Sequence, residues 1–239
     1  MVTTPNNPSG KVWSQSDLQR VTEMCRTWGT YLIVDQTYFE FVYPSSKHSF
    51  PCSSLLQYDR IIHIFSFSKI FGMAGWRVGF FAFPSFLTAI FRKIQDALPT
   101  CAPIASQMLA LHCLEVEAEV KNRWFASKMS SLLSIREKVF QVVKRLGTVK
   151  TEGAFYFLLP LPPFVSEEEA IDILAREFKV LLMYGHSFGA THYLRLSYGS
   201  LNPERVDEAC GRLAKGISRL MALSAAKDTH EEHRRGGII

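Results

Sequence analysis

Residues Ile61-Ile62-His63-Ile64-Phe65-Ser66-Phe67-Ser68-Lys69-Ile70-Phe71-Gly72-Met73-Ala74-Gly75-Trp76-Arg77-Val78-Gly79-Phe80 decide how the rest of this chain is read. An apolar, β-branched run ends in two serines and a lysine. A turn bearing glycines follows, and Arg77 opens a second apolar run over residues 78–83. Short apolar runs bounded by turn residues read as buried strands. Lys69 therefore leaves the end of one strand, and Arg77 stands at the mouth of the next. In an open α/β sheet, ligands bind at strand ends.

A lysine beside apolar walls loses its proton more readily and serves as a nucleophile toward a carbonyl. Hydroxyls and an arginine suit an anion, and arginine suits phosphate in particular. Pyridoxal phosphate, an aldehyde that carries a phosphate, answers to both halves. Taken alone, Lys69 and Arg77 read equally well as a surface lysine and a structural arginine among the 27 Lys and Arg of the chain. Three further segments supply the partners such a cofactor needs.

With 239 residues, 47% of them hydrophobic, the chain is long enough for one or two domains with a real core. The formal net charge of +5 is modest, and no Lys/Arg block is interleaved with aromatics, so no nucleic-acid partner is expected. Five widely spaced cysteines without a C-x-x-C argue against a disulfide framework and a zinc site, and fit a reducing compartment. No metal site, membrane span or signal pattern is read from the sequence.

In chain order, residues 1–4 read as the end of a strand and Pro5-Asn6-Asn7-Pro8-Ser9-Gly10 as a loop, where asparagines commonly serve backbone turns. Ser14-Gln15-Ser16-Asp17 opens a helix with Leu18, Val21, Met24, Cys25 and Trp28 on one face, closed by Gly29. Residues 31–34 form a strand that ends in Asp35-Gln36-Thr37-Tyr38. A carboxylate there is either a turn cap or is aimed at a ligand's positive nitrogen, since burying it unpaired is costly. Residues 39–58 read as a loop. A helix starts at Pro84-Ser85, and residues 105–143 are mostly helical. Strands follow over 154–159, 180–183 and 193–198. A helix capped by Ser166-Glu167-Glu168-Glu169 precedes the second of these, and a final helix begins at Asn202-Pro203. Arg195, flanked by apolar residues, either points to solvent or captures a carboxylate in bidentate fashion. The expected division is 1–128, 129–224 and a frayed polar tail over 225–239.

Five segments together, Pro5-Asn6-Asn7-Pro8-Ser9-Gly10, Asp35-Gln36-Thr37-Tyr38, Ser66-Phe67-Ser68-Lys69, Gly75-Trp76-Arg77-Val78-Gly79 and Arg195-Leu196-Ser197, resemble the class I/II aminotransferases. These are the fold-type I pyridoxal-phosphate enzymes. Within the family, the resemblance is nearest to the aromatic and methionine aminotransferases of plants. It implies an α/β fold: the C-terminal part of the transferase fold, with an incomplete large-domain sheet and a smaller α+β domain. It implies transamination between an amino acid and a 2-oxo acid, in a cytoplasmic homodimer. Lys69 resembles the Schiff-base lysine that shuttles a proton, and Asp35 the carboxylate that keeps the pyridine nitrogen protonated. Asn7 and Tyr38 resemble the donors to the ring oxygen. Ser66 and Arg77 resemble phosphate ligands, with Ser68 a further candidate. Arg195 resembles the arginine that holds the substrate carboxylate, with Asn7 beside the substrate.

Two positions depart from the family pattern. Thr4 stands where Asn is common, and Tyr184 stands where the family usually has Pro. Family members also carry a substantial portion upstream of the Asn-Pro loop, which includes the glycine-rich phosphate-binding turn. The expectation is therefore a fragment whose sheet has unpaired edges and exposed apolar faces. A lyase or synthase on the same scaffold, and a non-catalytic remnant, remain open alternatives.

Overall fold

In the computed structural model, the described residues are 1–44, 58–120 and 123–236, with side chains through residue 229. Residues 45–57, which hold most of the loop expected over 39–58, lie outside them. The chain divides into two compact units, Met1–Met129 with Glu152–Ala154, and Ser130–Thr151 with Phe155–Ile239. Each is taken by itself.

The first unit is built on a four-stranded sheet in the order β1 (Val2–Thr3), β2 (Leu32–Asp35), β3 (Ile61–Ser66), β4 (Gly79–Ala82). The first three strands are parallel and β4 is antiparallel to β3. Helix α1 (Gln15–Thr27) starts where Ser14 Oγ accepts the Asp17 N–H at 3.1 Å. It ends at Gly29, whose φ of +61° closes the turn. Leu18 and Thr22 are its buried residues, and Val21 and Cys25 pack beside Leu18, Leu32, Val34 and Ile61. Met24 and Trp28, expected on this face, are exposed at 63% and 78%. The inward stripe falls at positions 18, 21, 22 and 25, the i, i+3, i+4, i+7 spacing. Thr22 can take the inner place because its hydroxyl donates to Leu18 O at 2.7 Å.

The second apolar run behaves differently from the buried strand expected of it. All four residues of β4 are exposed, Phe80 at 52%. The strand is the outer one of the sheet, and none of the described strands pairs its far edge. The apolar residues beyond Pro84 are only partly covered among the described residues: Leu87 is buried and Phe91 packs against Phe81 and Phe83. Phe86 and, on helix α3 (Thr88–Ala97), Ile90 and Ile94 are all exposed. Helix α4 (Ile104–Glu119) and helix α5 (Arg123–Val143) make up the helical stretch expected over 105–143.

Residues 152–154 join the first unit through backbone hydrogen bonds. Tyr43 N donates to Glu152 O at 3.0 Å, Ala154 N to Phe41 O at 2.8 Å, and Gly153 N to Gly10 O at 2.9 Å.

The second unit holds an antiparallel sheet in the order β5 (Tyr156–Pro160), β7 (Tyr193–Ser197), β6 (Met183–Tyr184). Phe157, Leu159, Leu194 and Leu196 are buried on one face of it. The strand expected over 180–183 shrinks to Met183–Tyr184. Its first residues are spent on closing helix α6 (Glu167–Phe178), where Lys179 adopts the left-handed region and Val180 N bonds Leu174 O at 2.9 Å. The last helix, α7 (Val206–Gly236), continues through the stretch expected to fray from Ala225. It is tied down there: Ser224 Oγ donates to Pro163 O at 2.6 Å and Lys227 Nζ to Phe164 O at 3.0 Å.

Helices α6 and α7 meet closely at Gly216, where an added Cβ would lie 2.4 Å from Leu174 Cδ2. Gly216→Val should overpack this contact and lower stability by about 1–3 kcal/mol. Urea unfolding of the two chains checks this; an unchanged midpoint would mean that the helices separate freely.

Candidate active site

The parallel register fixes which side chains meet at one end of the first sheet. Thr3 pairs with Asp35, Asp35 with Ile64, and Ser66 with Gly79. The loop carrying Asn7, the turn carrying Tyr38, the segment carrying Lys69 and the approach of Arg77 therefore all leave the sheet at the same end. This is the carboxyl end of the three parallel strands, where ligands bind in such sheets.

Side-chain alternation then sorts the faces. Leu32, Val34, Ile61 and His63 are buried and share the face toward the α1 core. Asp35, Ile64 and Ser66 fall on the opposite face and are half-buried. Asp35 Oδ1 accepts the Thr37 N–H at 3.0 Å and the Thr37 hydroxyl at 2.7 Å. The turn-capping role is thus real, and it fixes the carboxylate's orientation at the end of β2. Tyr38 is buried, and Asn7 half-buried.

Lys69 and Ser68 do not extend β3. They lie on a single helical turn, α2 (Phe67–Ile70), for which Ser66 is the cap. Ser66 Oγ accepts the Ser68 N–H at 3.1 Å. Lys69 is half-buried. Arg77 is exposed, holds a left-handed φ of 52° and donates from Nη1 to Ala74 O at 3.0 Å. A cavity of about 240 Å³ opens beside this segment, lined by Phe65, Ser66, Phe67, Ile70 and Phe80.

In the second unit, Arg195 stands opposite Leu158 and Met183, on the sheet face turned away from Phe157, Leu159, Leu194 and Leu196. It does not simply point to solvent. Its guanidinium carbon lies 4.3 Å from the centre of the Phe188 ring and 4.7 Å from that of Tyr156, and Nη2 donates to Met183 Sδ. Two aromatic faces hold a planar cation well, because the ring quadrupole attracts it without taking up its whole hydrogen-bonding fork.

In the sequence, Glu167 reads only as part of a helix cap. Ser166 does cap α6, accepting the Glu169 N–H at 3.1 Å, while Glu169 pairs with Lys227. Glu167 has turned inward and is only 7% exposed. Its Oε2 accepts the His186 N–H at 3.1 Å and lies 2.9 Å from His186 Nδ1, and its Oε1 accepts the His192 N–H at 2.8 Å. Burial alone would raise this carboxyl. The two backbone N–H groups and the His186 ring outweigh that, and the net shift is downward from 4.5. The available signal was three consecutive acids, of which a helix start needs fewer.

A family model described as aminotransferase class I and II matches residues 1–213. The chain belongs to the class I and II aminotransferase family. It is 36% identical over 228 residues to an aromatic aminotransferase of Arabidopsis thaliana, covering 92% of this chain and 55% of that protein. It is 29% identical to a probable aspartate/prephenate aminotransferase of Aquifex aeolicus, covering 92% and 57%. The solved aromatic aminotransferase of Pyrococcus horikoshii superposes with a TM-score of 0.80 at 27% identity, over 91% of this chain and 59% of that one. The chain thus spans a little over half the length of the relatives it matches. The fold is that of pyridoxal-phosphate-dependent aminotransferases.

A second feature of this aminotransferase chain with no local signature in the sequence lies on the other face of the first unit's sheet. His63 Nδ1 is 2.6 Å from Gln36 Oε1, and both residues are buried. Gln36 Nε2 and His63 Nε2 have no partner among the described residues. Burial lowers the His63 pKa from 6.5. A histidine that stays neutral when folded but charges when unfolded favours the unfolded chain as pH falls, so its contribution is intact above 6.5 and is lost below it. Stability should therefore drop between about pH 7 and about pH 5, and less so in His63→Asn. Urea midpoints at the two pH values test this; equal slopes for both chains would rule His63 out as the cause. Among the described residues no helix is long and apolar enough to cross a membrane, and no cluster of three His, Cys, Asp or Glu could hold a metal ion.

Proposed function

We propose that this chain carries the lysine-bearing part of an aminotransferase that moves an amino group from an amino acid to a 2-oxo acid with pyridoxal phosphate. The observation that carries this reading is the register of β1, β2 and β3, which delivers Asn7, Asp35, Ser66 and Lys69 to one end of one sheet. The donor set there suits the cofactor. A half-buried carboxylate, Asp35, suits a protonated ring nitrogen. Tyr38 and Asn7 suit the ring oxygen, Ser66, Ser68 and Arg77 the phosphate, and the Lys69 amine the aldehyde carbon.

When bound, pyridoxal phosphate supplies an electron sink that stabilises a carbanion at the substrate α-carbon. The chain's own residues do the rest. Asp35, oriented by Thr37, would hold positive charge at the ring nitrogen. Lys69 Nζ would take the proton from the substrate α-carbon as general base and give it up as general acid at the cofactor's aldehyde-derived carbon. Arg195 would clamp the substrate carboxylate through charge-assisted hydrogen bonds from its guanidinium. The substrate class to test first is an aromatic amino acid, because the 36% identical relative is named an aromatic aminotransferase. From the five family-like motifs we infer that the working assembly is a cytoplasmic homodimer.

The test is an absorbance spectrum of the purified chain with added pyridoxal phosphate, followed by phenylalanine and 2-oxoglutarate. A visible band that needs Lys69, with keto-acid formation that depends on the acceptor, is expected. Lys69→Ala should lose the band and lower turnover by about a thousandfold. Ammonia release without an acceptor would replace transamination by a lyase reaction. A band that persists in Lys69→Ala would remove Lys69 from its role.

A further inference from the structure

We infer that Glu167 is a positioning residue for Arg195, acting through the loop of residues 185–192 that lays Phe188 on the guanidinium. This rests on the proposed role of Arg195 as the carboxylate clamp.

The loop joins β6 to β7, the strand that carries Arg195. It is folded back on itself: Gly185 N donates to Tyr193 O at 2.8 Å, Ala190 N to Gly185 O at 3.0 Å, and Gly189 N to His186 O at 3.0 Å. A Cβ at Gly185 would lie 2.3 Å from Ala190 O and 2.4 Å from Tyr193 O, so only glycine closes the loop at that position. Phe188, at the loop's turn, meets Arg195 4.3 Å from its ring centre. The bonds inside the loop set its shape, and the Leu161 N–H, on the segment after β5, donates to His192 O at 3.0 Å and holds the loop's end there.

Glu167 adds a tie to α6, and it is the one that reaches the loop's start as well as its end. One carboxylate oxygen takes the N–H and ring nitrogen of His186 at the start of the loop, and the other takes the N–H of His192 at its end. A single buried side chain thus staples both ends of the loop to the first turn of α6. A negative charge is also favoured there by the helix N-terminus. Because both loop ends are fixed, Phe188 has a fixed place over Arg195, and the guanidinium keeps one plane in which to meet a carboxylate. A charge-assisted pair depends on such geometry more than on the presence of the charge.

The role is tested in the full chain by NMR of the Arg195 side-chain Nε–H resonance, with Phe188→Leu as the reference for lost stacking. Glu167→Ala should move that resonance in the direction Phe188→Leu moves it, while thermal unfolding stays cooperative. Glu167→Gln, which keeps one acceptor, should move it less. If the alanine variant does not fold, the glutamine variant decides by the same shift. An Arg195 resonance unmoved in a folded Glu167 variant would overturn the inference. With phenylpyruvate as the probe, Glu167→Ala should weaken binding by about tenfold, the loss expected from a misplaced rather than a missing group. If Arg195→Leu binds phenylpyruvate as the unaltered chain does, the clamp role of Arg195 fails, and the resonance shift still decides whether Glu167 positions it.

Discussion

Parallel pairing of β2 with β3 is the constraint on which the first unit depends. Four residue pairs, from Leu32 with Ile61 to Asp35 with Ile64, lock two strands that are far apart in sequence into one register. A slip of one residue in β2 would turn Asp35 to the α1 side and bring Val34 out, and a slip in β3 would do the same to Ser66 and His63. Either slip is opposed by the burial of Leu32, Val34 and Ile61 against Leu18, each at most 3% exposed. The hydrophobic face toward α1 therefore positions the polar residues on the other face, though it touches none of them.

The same economy holds within the second unit. Phe157, Leu159, Leu194 and Leu196 bury one face of the β5-β7-β6 sheet. The opposite face is left to Arg195, Tyr156 and Phe188. In each unit, apolar burial sets the backbone and a small number of hydrogen bonds sets the direction of the functional side chains. Thr37 directs Asp35, Ser66 caps the turn that carries Lys69, and Glu167 holds the loop above Arg195.

Exposed apolar surface is concentrated in the first unit, on β4 and on helices α3 and α4. Phe80, Ile90, Ile94, Met108 and Leu111 all face outward. Such an area is unusual for a free-standing domain. It accompanies a chain that spans just over half of its relatives' length.

The α/β class and the order of the motifs are legible in the residue order alone, as is the position of Asn7, Asp35, Tyr38, Ser66, Lys69 and Arg77 at strand ends and turns. These are legible because strand ends, turns and caps are written in local residue types: a β-branched run that stops at Ser66, an acid that stops a strand at Asp35, a serine that opens a helix at Ser166. Only the tertiary structure decided what each helix and strand faces. Met24 and Trp28 on α1 fit an apolar stripe, yet they stand in solvent because Thr22 satisfies its own hydroxyl and turns inward. The stretch after Ala225 is polar enough to fray, yet it is helical because Lys227 and Ser224 find carbonyls more than 60 residues away in the chain. Glu167 and the Gln36–His63 pair were hidden for the same reason. Their partners are distant in sequence, and a side chain's burial is a property of what packs on it, which no local pattern of residues records.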